Sequence, residues 1–292
     1  MPFLQIRCDS GHPEFAEEIL LACGALSVSQ VDAADEPVLE PAPGDTPLWP
    51  RTISIGLFQP DADAAEVESQ LRSVLPDGAD LNLQVENVED QDWVRVWLEN
   101  CPPMKFGQRL WVCPEAKRVD EPGCATLMLD PGLAFGTGTH PSTALCLEWI
   151  AHQPITDLEV IDFGCGSGIL GIAALKLGAR QCVAFDIDPQ AIIATRENAR
   201  RNEVSSGMQL VEHDAPFEAE KADVVFANIL ARPLIELAPL LCSKLKPGGA
   251  IVLAGLLDRQ AEEVRQAYAE HLDFEADQSQ EGWTRIAGRL RI

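Results

Sequence analysis

An α/β fold in two parts is predicted for this 292-residue chain, and three observations predict it. The first is the stretch Val160–Ala179, an apolar run, then glycines at 164, 166 and 168, then an apolar helix. Strand, glycine turn and helix in that order open a Rossmann-like, doubly wound parallel domain. The second is the series of apolar runs that follows, each ending in a polar residue: Gln181–Asp188, Leu210–Asp214 and Ala222–Asn228. The third is the order βαββαβ over residues 1–87, the split βαβ arrangement of a ferredoxin-like α+β domain. The domains are therefore set at 1–87 and 107–292, with 88–106 as connector.

The first domain reads as follows. Phe3–Cys8 alternates apolar and polar residues, as a half-buried strand does. Pro13–Cys23 carries Phe15, Ile19, Leu20 and Cys23 on a helical stripe and stops at Gly24. Leu26–Val31 alternates again, and a proline-rich loop runs from Asp32 to Pro50. Strand Thr52–Phe58, helix Ala62–Leu75 ending before Pro76, and strand Leu81–Val88 complete the unit. Glu89–Asn100 is an amphipathic helix whose Trp93 and Trp97 mark a packing face, and Pro102 and Pro103 break it.

The second domain opens with strands Arg109–Cys113 and Ala125–Asp130, then a loop from Asp130 to Thr143 and helix Ala144–His152. That loop holds Phe135, Gly136, Thr137, Gly138 and His140; glycines and hydroxyls there make a poor core but a good ligand wall. Pro141 suits a first helical turn, and Thr143 offers a hydroxyl beside it. In the glycine turn, Gly164 and Gly166 let backbone approach a ligand with no Cβ in the way, and the first helical turn is expected to offer free N–H groups. Position 169 is Ile, so the dinucleotide spacing G-x-G-x-x-G is not met. Instead Asp162 precedes the glycines, a carboxylate that repels a pyrophosphate and attracts a cationic ligand with an amino-acid end.

Asp186 lies twenty-two residues beyond Gly164, close to the offset at which an acid meets ribose hydroxyls. Pro189–Asn202 is a helix; Asp214, at the end of the next strand, reads equally as an adenine contact or a solvated strand-terminal acid. Asn228 closes an apolar strand at the sheet edge where α/β proteins place their chemistry, and its carbonyl is a neutral acceptor for an N–H. A capping Asn is the plainer alternative. Leu245–Ala254 is the fifth strand, Asp258–Glu270 a helix, and Phe274–Gln278 with Trp283–Arg291 a closing antiparallel hairpin.

Charge narrows the partners. Net charge is −24, and residues 1–87 hold sixteen acids against three bases (Arg7, Arg51, Arg72). Such a surface repels a phosphate backbone, so no direct nucleic-acid contact is expected, and a basic protein partner is favoured. The plainer reading of the acidity is solubility. No apolar run is long enough to cross a membrane. The nine cysteines stand singly, with no metal-ligand spacing to the five histidines, as in a reduced cytoplasmic protein without a metal.

Leu129–Thr143, Val160–Leu170, Phe185–Ala191, Asn228–Ala231 and, near the N-terminus, Glu40–Gly44 with Leu48-Trp49 resemble the ribosomal protein L-eleven (L11) methyltransferases, the PrmA family. Ser142 stands where Thr is expected. The resemblance covers essentially the whole chain. It implies a seven-stranded methyltransferase domain that uses S-adenosylmethionine, preceded by a ferredoxin-like domain that grips the substrate protein. It implies methylation of the α-amine and lysine ε-amines of L11, with Thr143, Gly164, Asp186 and Asn228 as cofactor contacts. Asp162, Gly166, Phe135, Gly136 and Thr137 are expected beside them. Asn228 is the expected catalytic residue, accepting N–H bonds so that the amine's lone pair faces the methyl. His140 reads as a proton acceptor or, equally, as a loop-structuring residue. A monomer is expected. Two other classes stay open: a methyltransferase for a small molecule or another protein, and a binding module without activity.

Overall fold

The computed structural model describes residues 3–34, 49, 51–74, 81–88, 102–129, 136, 138–212 and 217–292. The chain divides into two compact units, Met1–Asp92 and Trp93–Ile292.

In the first unit, β1 (Phe3–Asp9), α1 (Pro13–Ala22), β2 (Ser27–Asp32), β3 (Thr52–Phe58), α2 (Ala64–Val74) and β4 (Asn82–Val88) follow the βαββαβ order. The sheet runs β2-β3-β1-β4 and is antiparallel throughout. Ile6, Cys8 and Phe58 bury one sheet face against Ala16 and Leu20 of α1 and Val67 and Leu71 of α2. Each helix contributes an i, i+4 pair, the spacing that puts two side chains on one face.

The second unit begins with a small sheet: β5 (Met104–Phe106) antiparallel to β6 (Leu110–Cys113), which is parallel to β7 (Ala125–Met128). Then come α3 (Pro141–His152), β8 (Glu159–Phe163), α4 (Ile169–Lys176), β9 (Gln181–Phe185), α5 (Pro189–Arg201), β10 (Met208–Val211) and β11 (Ala222–Asn228). They are followed by α6 (Ala231–Glu236), α7 (Ala238–Ser243), β12 (Leu245–Leu257), α8 (Ala261–Tyr268), β13 (Leu272–Phe274), β14 (Gln278–Gln280) and β15 (Trp283–Leu290). The main sheet runs β10-β9-β8-β11-β12-β15-β13, and the short β14 adds onto β15. β8 to β12 pair in parallel; β15 is antiparallel between β12 and β13. One face packs on α3, α4 and α5 through Leu147, Ile150, Ile172 and Ile192. The other packs on α6, α7 and α8 through Leu234, Leu241, Val264 and Tyr268. A parallel sheet covered on both faces needs strands apolar on both sides, and Val224–Ala227 are all buried.

Several expectations shift. β4 runs to Val88 and Met104–Phe106 is a strand of the second unit, so the stretch 88–106 expected as connector begins and ends in strands; residues 89–101, with the Trp93 and Trp97 pair, lie outside the described residues. The helix expected from Ala144 begins at Pro141, since proline at the first helical position costs no hydrogen bond. The fifth strand continues past Ala254 to Leu257 through an irregularity in its pairing with β15. The helix expected over Asp258–Glu270 is one 3-10 turn, Asp258–Gln260, followed by α8.

Candidate active site

Strand order reverses between β8 and β11, and a doubly wound sheet opens its ligand crevice at the carboxyl ends of such strands. Gly164 follows β8 and Asn228 ends β11, so the two most informative motifs meet at that point.

The turn after β8 is left-handed at Gly164 (φ 76), Gly166 (φ 55) and Gly168 (φ 80), a path closed to side chains at three alternate positions. It is tied down from all sides. Gly164 N and Cys165 N donate to the Phe185 carbonyl at 2.8 and 3.0 Å. Thr195 Oγ1 donates to the Gly166 carbonyl at 3.0 Å, and Asn198 Nδ2 to the Ser167 carbonyl at 2.9 Å. Ser167 Oγ donates to the Gly136 carbonyl at 2.6 Å, which brings the preceding loop onto the turn. The N–H groups of Gly166 and Gly171 are also spent, on Asp186 and Asp162. The expected array of free N–H groups is thus largely consumed by the fold, and a turn so depleted of donors suits an ammonium end rather than a phosphate.

Asp186, just past β9, accepts from Gly166 N at 2.9 Å on Oδ2 and from Asp188 N at 3.0 Å on Oδ1. Each oxygen keeps a second lone pair, enough for two hydroxyls. Ile187 beside it is 81 % exposed, a large apolar side chain just past the carboxyl end of β9. Asp162 lies beneath the turn, 1 % exposed, with Oδ2 accepting from Gly171 N at 2.8 Å. Burial pushes its carboxyl up to about 7, the Gly171 bond opposes this, and the neighbouring Asp186 carboxylate adds to it. Asp162 therefore supports the start of α4 and, being buried, offers no surface for a ligand to touch.

On the other side, Asn228 Nδ2 donates to Thr143 Oγ1 at 3.2 Å. Thr143 is fully buried on α3, so its hydroxyl orients the carboxamide. The opposite atom, Asn228 Oδ1, is buried with no hydrogen-bond partner. Such an orphaned acceptor is costly unless something donates to it, and it marks where an N–H belongs. A cavity of about 330 Å³ opens here, lined by His140, Ser142, Asn228, Ile229, Leu230, Gly255 and Trp283. Trp283 stands edge-on to His140, ring centroids 4.6 Å apart. It is placed by the two-residue turn Glu281-Gly282, both at positive φ, the hairpin turn whose twist matches its strands.

His140 caps α3: its Nδ1 accepts from Ser142 N at 3.3 Å and lies 2.8 Å from Ser142 Oγ. Burial lowers its pKa, with Glu281 opposing. A neutral ring whose Nδ1 lone pair is committed to Ser142 carries its proton on Nε2, which favours the loop-structuring role over the base.

Of the expected site residues, Gly136, Thr143, Asp162, Gly164, Gly166, Asp186 and Asn228 converge on this edge, whereas Phe135, Thr137 and Asp214 lie outside the described residues. Sequence reasoning missed Ser142, Ile187, Leu230, Gly255 and Trp283 as site residues. Ile187 alone carried a signal, an apolar residue wedged between two acids after a buried strand. Among the described residues no cluster of potential ligands could hold a metal ion, and no helix is long and apolar enough to cross a membrane.

Comparison with known proteins identifies the family. The family described as ribosomal protein L11 methyltransferase (PrmA) matches residues 3–291. A ribosomal protein L11 methyltransferase of Pseudomonas paraeruginosa is 49 % identical over 293 residues, covering 100 % of this chain and 99 % of the relative. One from Shewanella sediminis is 47 % identical over 291 residues, covering 99 % of each. The crystal structure of a ribosomal protein L11 methylase from Lactobacillus delbrueckii subsp. bulgaricus superposes with a TM-score of 0.60 at 31 % identity, over 66 % of this chain and 100 % of its own. The chain belongs to the ribosomal protein L11 methyltransferase family, PrmA, and is an S-adenosylmethionine-dependent methyltransferase.

Proposed function

We propose that the chain methylates amines of ribosomal protein L11, the α-amine and lysine ε-amines, in the cytoplasm, acting as a monomer without direct nucleic-acid contact. The observation that carries this reading is the buried, unpartnered Asn228 Oδ1 at the end of a largely apolar cavity. The residues present fit S-adenosylmethionine. The donor-poor glycine turn at Gly164–Gly168 suits its ammonium end, and Asp186 its ribose hydroxyls. Ile187 offers an apolar platform for its base, and Gly136 closes the turn from above. When bound it supplies an electrophilic methyl on a sulfonium.

The chain's own residues then act on the amine. A lysine has a reference pKa of about 10.4 and an α-amine about 8, so the substrate arrives largely protonated. Apolar walls formed by Leu230, Ile229 and Trp283 disfavour the ammonium and favour the neutral amine, whose proton leaves to water. In this reading Asn228 Oδ1, with adjacent backbone carbonyls, accepts the amine's N–H groups and leaves its lone pair free to attack. Thr143 holds the carboxamide in that orientation. The acidic first unit serves as the docking face for the basic protein, on the strength of its thirteen excess negative charges.

The test is intact-mass spectrometry of purified L11 before and after incubation with enzyme and S-adenosylmethionine. Added methyl masses are expected, appearing more slowly as ionic strength rises at subsaturating L11. An unchanged mass spectrum would end the proposal, and a salt-independent rate would remove the charge-docking part.

A further inference from the structure

The chain between β11 and α6 is gripped from two directions at one residue, Ile229. A Cβ built on Gly164 would lie 2.2 Å from Ile229 Cγ2, so the Ile229 side chain occupies the space that any side chain at position 164 would need. On the far side, a Cβ built on Gly255 would lie 2.5 Å from the Ile229 carbonyl oxygen, 2.9 Å from its carbon and 3.0 Å from its nitrogen. The whole Ile229 peptide therefore rests on the bare Cα of Gly255. Gly255 has φ 83 and falls in the interruption of β12–β15 pairing between Leu253 and Leu256. Bulges of this kind re-aim the chain beside active sites. Here the bulge opens the socket that lines the cavity together with Ile229 and Asn228.

We infer that Gly255 and Ile229 are positioning residues for the methyl transfer: the Gly255 bulge fixes the peptide that follows Asn228, and the Ile229 side chain locks that peptide to the glycine turn. This rests on the reading of Asn228 as the amine acceptor. The parts in question, the bare Cα of Gly255 and the Ile229 side chain where it meets Gly164, act through the placing of Asn228 and of the peptide that follows it. The two contacts differ in kind. At Gly164 the obstacle is a side-chain methyl group, which can be cut away. At Gly255 the obstacle is backbone, which cannot. A methyl group at 255 must push the peptide aside by roughly 1 Å, and displacement on that scale can cost about 100-fold in rate.

The experiment compares Gly255→Ala and Gly164→Ala, each with and without Ile229→Ala, by kcat on L11 and by calorimetric affinity for S-adenosylmethionine. Gly255→Ala should lower kcat about 100-fold with cofactor affinity held within about twofold, and Ile229→Ala should not rescue it. Gly164→Ala should weaken the cofactor about tenfold or more, and Ile229→Ala should recover part of that loss, leaving only backbone strain. Ile229→Ala alone should lower kcat about tenfold with cofactor affinity retained, which reads the clamp even where Gly255→Ala fails to fold. The inference is overturned by an undiminished kcat in Gly255→Ala or Ile229→Ala, by a Gly255→Ala loss confined to cofactor affinity, or by equal rescue of both glycine variants. Native enzyme inactive on L11 would instead remove the substrate reading, while the calorimetric rescue at Gly164 would still report the Ile229 contact.

Discussion

The two halves of the crevice are built on opposite plans. Around Gly164–Gly168 most polar atoms are answered within the protein: the carbonyls of Gly166 and Ser167 by Thr195 and Asn198, and the N–H groups of Gly164, Cys165, Gly166 and Gly168 by Phe185, Asp186 and Cys165. Around Asn228 the walls are apolar and one acceptor, Oδ1, is left buried and unanswered. A turn whose N–H groups are largely spent is held in one shape before its ligand arrives and offers acceptors rather than donors. A pocket that lacks a donor carries a standing cost that an amine relieves, so it discriminates by chemistry.

Removing the unanswered acceptor breaks the contrast most severely. Asn228→Ala should reduce single-turnover methylation of L11 by about 100-fold or more, because the amine loses its aim. A rate within a fewfold of native would show that the cavity orients the amine by walls alone. A smaller effect is expected on the satisfied side. Asp186→Ala should weaken S-adenosylmethionine at least about tenfold in calorimetry, through lost charge-assisted hydrogen bonds, with turnover restored at saturating cofactor. Unchanged affinity would take Asp186 out of the cradle.

The smallest effect concerns the cost hidden under the cradle. The Asp162 carboxyl titrates near 7 in the folded chain against an ordinary value of 3.8. Between those values the native state holds the extra proton, so this group's contribution to stability is greatest at low pH and declines as pH rises through 7. Asp162→Asn keeps an acceptor for Gly171 N and cannot ionise. Its melting temperature relative to native should rise from pH 4 to pH 7 and then level off, by roughly 2–4 °C for each kcal/mol relieved. A difference constant with pH would mean that Asp162 does not titrate in that window.

The satisfied half was legible in the sequence and the unanswered half mostly was not. Gly164, Gly166 and Asp186 belong to one strand–turn–helix–strand unit, where spacing alone carries the geometry. The order of the first unit was legible for the same reason, since alternation and helical stripes are local. Trp283 meets His140 across more than a hundred residues, and no period links them. Gly255 sits mid-run in an apolar strand, where only the pairing irregularity reveals its role. β5 hid behind Pro102 and Pro103, and α6 and α7 went unread because Pro233 and Pro239 fall in first turns of helices too short to show a stripe. Asn228 was picked out by its place at a strand end; that its carbonyl would be left unpaired required three dimensions.

The antiparallel position of β15 has a consequence for the order in which the sheet closes. β13 lies outside β15 and β14 adds onto it, so neither can join the sheet until β15, later in the chain than both, has slid in beside β12. The glycine cradle closes over short chain separations, whereas Trp283 reaches His140 only after a long loop is drawn shut, an entropic step that comes late. The methyl-donor side is thus the part that can assemble early, and the wall facing the amine is set by the last strand to enter.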